Sequence, residues 1–218
     1  MSDQDEGNGK SDTPMQPSTG DRASNTDRAD SALAPAPQRN ARTALREQRG
    51  ILMVLTGDGK GKSTSAFGAV ARALGWGHRV GVIQFVTGEW QTGEQKFFAD
   101  HPQVDWHISG ARFDWSDENK EQSSQAALEA FAQGAAMMVS GDYDLIVLDE
   151  INWALHQGDL DPGAVLHAIA ARDAACSVIL TGRNAPDAVR QAADLITDMN
   201  DSRHPHEEGR AAARGIEY

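Results

Sequence analysis

The stretch GILMVLTGDGKGKST, which runs from Gly50 to Thr64, constrains this chain more than any other part of its sequence. Its residues 51–55 are all apolar, which is typical of a buried parallel strand. A loop with three glycines follows, and then a helix-like stretch over 66–74. A strand, a glycine-rich turn and a helix form the setting in which a phosphate-binding loop is expected.

The residues of this loop are suited to holding an anion. Glycines let the backbone curl so that several N–H groups point at one anion, and the helix start adds a positive partial charge. Lys62 supplies a full charge, and the Ser63 hydroxyl is a ligand for a magnesium ion carried on the phosphates. The sequence therefore predicts ATP binding by Gly57, Asp58, Gly59, Lys60, Gly61, Lys62, Ser63 and Thr64.

The loop departs from the common spacing at one position. The usual motif has a glycine five positions before the Gly-Lys-Ser glycine, but Thr56 stands there and the glycine falls at Gly57. Lys60 adds a second cation inside the loop. The alternative interpretation is a glycine-rich turn with incidental lysines, and the flanking strand and helix favour the phosphate loop over it.

A second apolar run, Leu145 to Leu148, ends in Asp149-Glu150 about ninety residues after the loop. This arrangement indicates the second half of a nucleotide site, with Asp149 on the magnesium and Glu150 near the reacting centre. We therefore predict Lys62 and Glu150 as catalytic residues. The predicted metal ligands are Ser63, Asp149 and Glu150.

The pattern of the whole chain indicates an α/β fold. Strands predicted at 51–55, 80–85, 104–108, 145–148, 176–180 and 195–197 alternate with helices at 66–74, 94–99, 116–140, 162–172 and 186–193. This alternation predicts a doubly wound, mostly parallel sheet of about six strands. On the long helix, the predicted buried face consists of Leu128, Phe131, Ala135 and Met138.

Ligands in such sheets bind at the carboxyl ends of the strands. That rule gathers the phosphate loop, Asp149-Glu150, Arg183 and a loop with two aromatics, Phe113 and Trp115, on one rim. The two rings have two interpretations: a hydrophobic plug onto the core, or a pair of rings presented to a flat apolar ligand.

Composition narrows the range of partners. The net charge of −12 argues against a nucleic-acid partner, and no apolar stretch is long enough to cross a bilayer. With no secretory signal pattern, we predict a cytoplasmic protein.

The single cysteine, Cys176, excludes an internal disulfide and lies in an apolar run, so a buried inert thiol is predicted.

The predicted organisation has three parts. Residues 1–38 are rich in small and polar residues and are predicted to be a disordered tail. Residues 39–49 are basic and predict a short helix, either a lid over an anionic ligand or a solvated lead-in to the first strand. Residues 50–218 form the phosphate-loop domain. His204 and His206 have no third ligand at a suitable spacing, so a solvated loop is predicted there.

Several segments together resemble one family, the bacterial ATP-dependent corrinoid adenosyltransferases of the P-loop (RecA-like) type. These segments are GILMVLTGDGKGKSTSAFGAVARALGWG, VGVIQF, SGARFDW, DLIVLDEIN, VILTGRNAP and GRAAARGIEY, and they extend from about Gly50 to Tyr218. Thr56 in the loop is a feature shared with that family.

The resemblance implies that cobalt(I) of a corrinoid, cobalamin or a precursor such as cobyrinic acid diamide or cobinamide, attacks the 5′-carbon of ATP. The whole triphosphate then leaves, neutralised by Lys60, Lys62 and Ser63 with Mg²⁺. It also implies that Phe113 and Trp115 contact the corrinoid and exclude its lower axial ligand, and that the segment near 42–49 closes over it. A reduced flavin or flavodoxin as electron donor and a homodimer are implied as well.

Two other functions fit part of the pattern. The first is a RecA-like ATPase or kinase in which Glu150 orients a water or a hydroxyl. The second is a non-catalytic nucleotide-sensing module that uses the aromatic loop to bind a protein partner. The products of ATP separate the first alternative from the adenosyltransferase, because an ATPase releases ADP and phosphate.

Overall fold

The computed structural model of the chain describes residues 49–85, 91–109, 120–205 and 209–217. The predicted tail at 1–38 lies outside the described residues, as do 39–48 of the basic segment and the first residues of the predicted long helix. Phe113, Trp115 and His206 also lie outside them.

Six parallel strands form one sheet in the order β3-β2-β4-β5-β1-β6, which confirms the predicted α/β class. The strands are β1 Leu52–Thr56, β2 Val80–Gln84, β3 Val104–Ile108, β4 Leu145–Asp149, β5 Ser177–Thr181 and β6 Leu195–Asp198. β2, β4 and all but the second residue of β1 are buried or nearly so, because helices cover both faces of the sheet centre.

The described helices are α1 Lys62–Gly75, α2 Gly93–Phe98, α3 Lys120–Ser140, α4 Ile151–Gln157, α5 Pro162–Ala170 and α6 Asp187–Ala192. Five of them match predicted helices within a few residues. The prediction missed α4, which begins directly after Asp149-Glu150 and ends at Gly158, a residue in the left-handed region with φ of 78°. Seven residues are too few for a helical apolar period to show in the sequence.

The order of the strands explains which face each helix covers. The chain moves in one direction from β1 to β3 and in the other from β3 to β6, and right-handed crossovers then place the helices on opposite faces. The apolar residues of α1 and α2 accordingly pack with one core cluster, and those of α3 to α6 with another. The neighbouring strands β1 and β5 are therefore followed by helices on opposite faces of the sheet, and a crevice between two such strands is where α/β sheets bind ligands.

Helix α3 buries a face that overlaps the predicted one but excludes Leu128. Leu128 is 49% exposed, so its prediction as a core residue was wrong, whereas Met138 is fully buried and Phe131 and Ala135 pack against the core. The buried positions are Ala127, Ala130, Gly134, Met137 and Met138. Small residues line this face because the helix lies close to the sheet: a Cβ on Gly134 would come 3.1 Å from Leu148 Cδ2.

Cys176 is buried and unpaired, as predicted, and burial raises the pKa of its thiol to about 11. Among the described residues, no helix combines the length and the apolar character that crossing a membrane requires.

Candidate active site

The phosphate loop, residues 57–61, joins the end of β1 to the start of α1. Gly57 and Gly61 have φ of 94° and 117°, in the left-handed region where glycine is strongly favoured over other residues. Helix α1 therefore begins at Lys62, four residues earlier than predicted, and its first N–H groups adjoin the loop.

The segment that follows β6 braces this loop. Gly59 N–H donates to Met199 O at 2.8 Å, and Lys60 N–H donates to Asp201 Oδ1 at 2.9 Å. The packing is tight enough that a Cβ on Gly57 would lie 2.2 Å from Met199 O. The glycines are thus needed for close approach as well as for curvature. This bracing was not predicted, since the sequence after 199 shows only a polar tail.

Lys62 is held inside the loop. Its side chain is nearly buried, with 8% of the residue exposed, and Nζ donates to Gly57 O at 2.9 Å and to Gly59 O at 2.7 Å. Burial lowers the pKa of Lys62, and the charge of Glu150 opposes that shift. The ammonium group is therefore positioned within the loop before any ligand arrives.

Asp149 lies at the end of β4 with both carboxylate oxygens bonded. Thr181 Oγ1 donates to Oδ1 at 2.7 Å, and Gln84 Nε2 donates to Oδ2 at 3.1 Å. Trp106 Nε1 in turn donates to Gln84 Oε1 at 3.2 Å, which fixes the orientation of the amide. Burial raises the pKa of Asp149, and hydrogen bonds from Thr181, Gln84 and Ser63 counteract it. The carboxylate is held in one orientation.

Glu150 adopts a backbone conformation that is rare for a side chain of its type. Its φ is 63°, and its N–H donates to Thr181 Oγ1 at 2.8 Å, so the strained turn is held by the neighbouring strand. Burial, and then the charge of Asp149, raise the pKa of Glu150 to about 7, while Lys62 and Arg183 lower it. The turn thereby places the Glu150 carboxylate beside that of Asp149 and within electrostatic reach of Lys62.

A polar cavity of about 610 Å³ opens beside the loop. Three cationic side chains border it: Lys60, Lys62 and Arg183. Arg183 Nη2 also donates to Asp58 O at 3.2 Å, which ties the end of β5 to the phosphate loop. The other lining residues are Asp58, Gly59, Asn200, Asp201 and His204. The three cations outnumber the two carboxylates of the lining, Asp58 and Asp201, so the cavity wall carries a net positive charge that suits an anion such as a triphosphate.

The structure brings together most of the predicted site residues. Ser63 contacts Asp149, and Lys62 lies within electrostatic reach of Glu150. Thr64 is different, because it borders a separate cavity of about 320 Å³ with residues of α2 and with Ile216. Phe113 and Trp115 lie outside the described residues.

Sequence reasoning missed Gln84 and Thr181, which orient Asp149, although each is a buried polar residue at the last position of an apolar strand. That signal was available: a polar side chain at the carboxyl end of a buried strand in such a sheet lies next to the ligand crevice.

The oxygen donors Ser63, Asp149 and Glu150 fit a magnesium ion in part. Over the ranges that the structure describes, no three His, Cys, Asp or Glu residues cluster as a complete metal site. Mg²⁺ prefers oxygen ligands and usually retains waters and phosphate oxygens, so one or two carboxylates and a hydroxyl are a suitable protein share of its coordination shell.

The family model for ATP:corrinoid adenosyltransferases (BtuR/CobO/CobP) matches residues 48–218 of this chain. The chain belongs to this family. It is similar to a corrinoid adenosyltransferase of Pseudomonas aeruginosa, with 42% identity over 79% of this chain and 86% of the relative. It is also similar to the corrinoid adenosyltransferase CobA of Salmonella typhimurium, with 34% identity over 88% of this chain and 93% of the relative. A corrinoid adenosyltransferase of Escherichia coli is 33% identical over 82% of this chain and 91% of the relative.

Membership confirms the resemblance seen in the sequence. It makes this chain an enzyme of the ATP:corrinoid adenosyltransferase class, with ATP and a corrinoid as its substrates. The matched residues include the phosphate loop, the Asp149-Glu150 turn and Arg183, so the cavity described above lies within the part of the chain that the family shares.

Proposed function

We propose that this chain transfers the 5′-deoxyadenosyl group of ATP to cobalt(I) of a corrinoid at the cavity beside the phosphate loop, and that it releases tripolyphosphate. The observation that carries the proposal is the convergence of Lys60, Lys62 and Arg183 on one cavity, with Glu150 within electrostatic reach of Lys62 and Arg183. A cation cluster of this kind suits a reaction whose leaving group is a whole triphosphate.

The bond changes make few demands on side chains. Cobalt(I) supplies the electron pair that forms the cobalt–carbon bond, and the bond between C5′ and the α-phosphate oxygen breaks with its electrons on that oxygen. Because cobalt(I) is already a strong nucleophile, no residue has to act as a base. The leaving group carries about four negative charges, so preorganised cations and N–H groups lower the barrier most.

Each part of the site has a role in this scheme. Lys62, fixed by the carbonyls of the loop, and Lys60 at its rim neutralise the triphosphate. Ser63, Asp149 and Glu150 would hold Mg²⁺, which supplies two further positive charges to the phosphates. The hydrogen bonds to both oxygens of Asp149 keep that ligand oriented.

The experiment that tests the proposal is incubation of the purified chain with ATP, Mg²⁺ and chemically reduced cobalamin. We expect a light-sensitive cobalt–carbon product and an equal amount of inorganic tripolyphosphate. ADP and phosphate without an alkylated corrinoid would indicate the ATPase or kinase. Nucleotide binding without any product would indicate the sensing module. Either of these outcomes contradicts the proposal.

Phe113 and Trp115 are proposed to contact the corrinoid and to exclude its lower axial ligand, since large apolar rings cannot ligate cobalt. We expect Phe113→Ala and Trp115→Ala to leave turnover of pre-reduced cobalt(I) nearly unchanged and to slow turnover that starts from cobalt(II). The measurement is product formation from each starting state, with Trp76→Ala, an exposed aromatic at the carboxyl end of α1, as the control. Equal losses from both states contradict the ligand-exclusion role.

A reduced flavin or a flavodoxin is proposed as the electron donor, and a cytoplasmic homodimer as the working form. The electron donor and the homodimer follow from the resemblance, and the cytoplasmic location follows from the lack of a secretory signal pattern. An electron donor is required because cobalt(II) must gain one electron before it can attack. Product formation from cobalt(II) with a reduced flavin, and the mass of the purified protein in solution, test the two proposals separately.

A further inference from the structure

Thr56 stands where the common phosphate loop has a glycine, and its side chain has a partner. It is the last residue of β1 and only 2% exposed. Its Oγ1 accepts a hydrogen bond from Ala185 N–H at 3.2 Å. A glycine here would leave that buried N–H without this acceptor, at a cost typical of an unsatisfied backbone donor.

Ala185 ends a strained turn that begins at Gly182. Gly182 has φ of 124°, and Asn184, which is not a glycine, has φ of 56°. Asn152 Nδ2 donates to Gly182 O at 3.2 Å, and a Cβ on Gly182 would come 3.1 Å from Glu150 Oε2. Glycine adopts a positive φ freely, whereas a positive φ at a non-glycine residue such as Asn184 persists only where the surroundings hold it. Asn152 therefore holds the first residue of the turn and Thr56 holds the last.

Arg183 lies between these two anchors. Its guanidinium donates to Asp58 O at 3.2 Å, and its Nε lies 3.8 Å from Asp58 Oδ1 in an exposed ion pair. Arg183 also borders the cavity together with Lys60 and Lys62. Its side chain is 57% exposed, so its head group is accessible to a ligand. The charge of Arg183 also lowers the pKa of both Lys62 and Glu150, which agrees with its placement beside them.

We propose that Thr56 is a positioning residue that holds the 182–185 turn against the phosphate loop, and that Arg183, placed by this turn, is a third cation that binds the departing triphosphate. The inference rests on the proposed function for the identity of the leaving group. It gives the hydroxyl at position 56 a role that a glycine cannot fill, because glycine has no acceptor for Ala185 N–H.

The test is the affinity of the full chain for inorganic tripolyphosphate with Mg²⁺, measured by titration calorimetry without any corrinoid. We expect Arg183→Ala to weaken binding roughly 10- to 100-fold, the usual effect of losing a charge-assisted hydrogen bond. Thr56→Val, which keeps the shape and removes the acceptor, should weaken it roughly 5- to 10-fold. Thr56→Ser should bind within about twofold of the wild type, because it keeps the hydroxyl.

The double variant separates positioning from simple destabilisation. If Thr56 acts through Arg183, Thr56→Val should add little to Arg183→Ala, whereas independent effects would add. Arg72→Ala is the matched control, since Arg72 is exposed in the last turn of α1, about 15 Å along the helix from Lys62. It should bind tripolyphosphate as the wild type does.

Three results would overturn the inference: wild-type affinity of Arg183→Ala, wild-type affinity of Thr56→Val, or additive losses in the double variant. Thr56→Ala replaces Thr56→Val if the latter does not fold. Failure of the proposed function is a different result, because an enzyme that makes no adenosylated corrinoid can still bind tripolyphosphate and show the coupling between Thr56 and Arg183.

Discussion

Lys62 differs from an ordinary surface lysine because the loop itself holds its ammonium group. Two carbonyl oxygens of the loop accept its hydrogen bonds, and only 8% of the residue is exposed. In the proposed reaction, a charge fixed in this way would need little reorganisation when negative charge develops on the leaving triphosphate, and such preorganisation is a main source of electrostatic catalysis.

We therefore expect Lys62→Ala to lower kcat for adenosyl transfer by roughly 10²- to 10³-fold, by analogy with the loss of one oxyanion donor. Single-turnover measurements with pre-reduced cobalamin would report this effect. Lys96→Ala, which removes an exposed lysine on α2, is the control and should retain full activity. Near wild-type turnover by the Lys62 variant would contradict the catalytic role of the loop.

Glu150 makes the stability of the metal-free protein depend on pH. Its pKa is raised from 4.5 to about 7, so between these values the folded state binds a proton that the unfolded state has released. The free energy of unfolding therefore falls as pH rises through this window, and the contribution of this group is at most about 3 kcal/mol. Glu150→Gln should remove this part of the pH dependence.

The measurement is urea unfolding of both proteins in EDTA at pH 5 and pH 8. The glutamine variant should gain stability relative to the wild type on going from the lower to the higher pH. A constant difference between the two proteins would mean that Glu150 ionises with an ordinary pKa in the folded state.

At the scale of single residues, the sequence predicted the groups that belong to a short motif. Lys62, Ser63 and Asp149 were predicted because a phosphate loop and an acidic strand end each have a recognisable local pattern, and their roles stay predictions. Gln84 and Thr181 were not predicted as site residues, because their role depends on which strands are neighbours: β4 lies between β2 and β5 only in the folded sheet. Adjacency of this kind is a tertiary property.

Among the secondary-structure elements, α3 shows how small residues mislead a search for apolar faces. The prediction followed the largest side chains and included Leu128, but the face on the sheet consists largely of alanine and glycine. A close approach between helix and sheet excludes a leucine from the positions nearest the strands, as the contact between Gly134 and Leu148 illustrates.

This geometry predicts unequal effects of two substitutions on the same helix. Met138→Ala should lower the free energy of unfolding by about 2–5 kcal/mol, because Met138 is fully buried and its removal leaves a cavity. Leu128→Ala should change it by less than about 1 kcal/mol, since Leu128 is half exposed. Denaturant unfolding measures both. Similar losses would indicate that Leu128 is covered by a partner or by another part of the chain.

The missed helix α4 has a different cause. It is a single short element that begins at Ile151, with Glu150 as its N-cap, so β4, the carboxylate pair and the helix follow one another without a loop. The sequence shows the strand and the acidic pair clearly, and no loop separates them from the helix. Local patterns resolve elements best when turn residues stand between them.

At the scale of the whole molecule, the alternation of strands and helices was sufficient to predict the parallel sheet and the rim on which the site lies. It was not sufficient to predict that the segment after β6 would contact the phosphate loop. That segment is polar and has no periodic pattern, and its position follows from β6 pairing with β1 at the edge of the sheet. Pairing between strands that are far apart in the sequence has no short sequence pattern from which it could be predicted.

The bracing of the phosphate loop by residues 199–201 has a consequence for synthesis on the ribosome. The loop is made early, but Met199 and Asp201, which bond to Gly59 and Lys60, are translated about 140 residues later. A nascent chain that has emerged only as far as β5 therefore lacks the residues that hydrogen-bond to its phosphate loop. We therefore expect ATP binding to develop only late in translation, after β6 and residues 199–201 have been made.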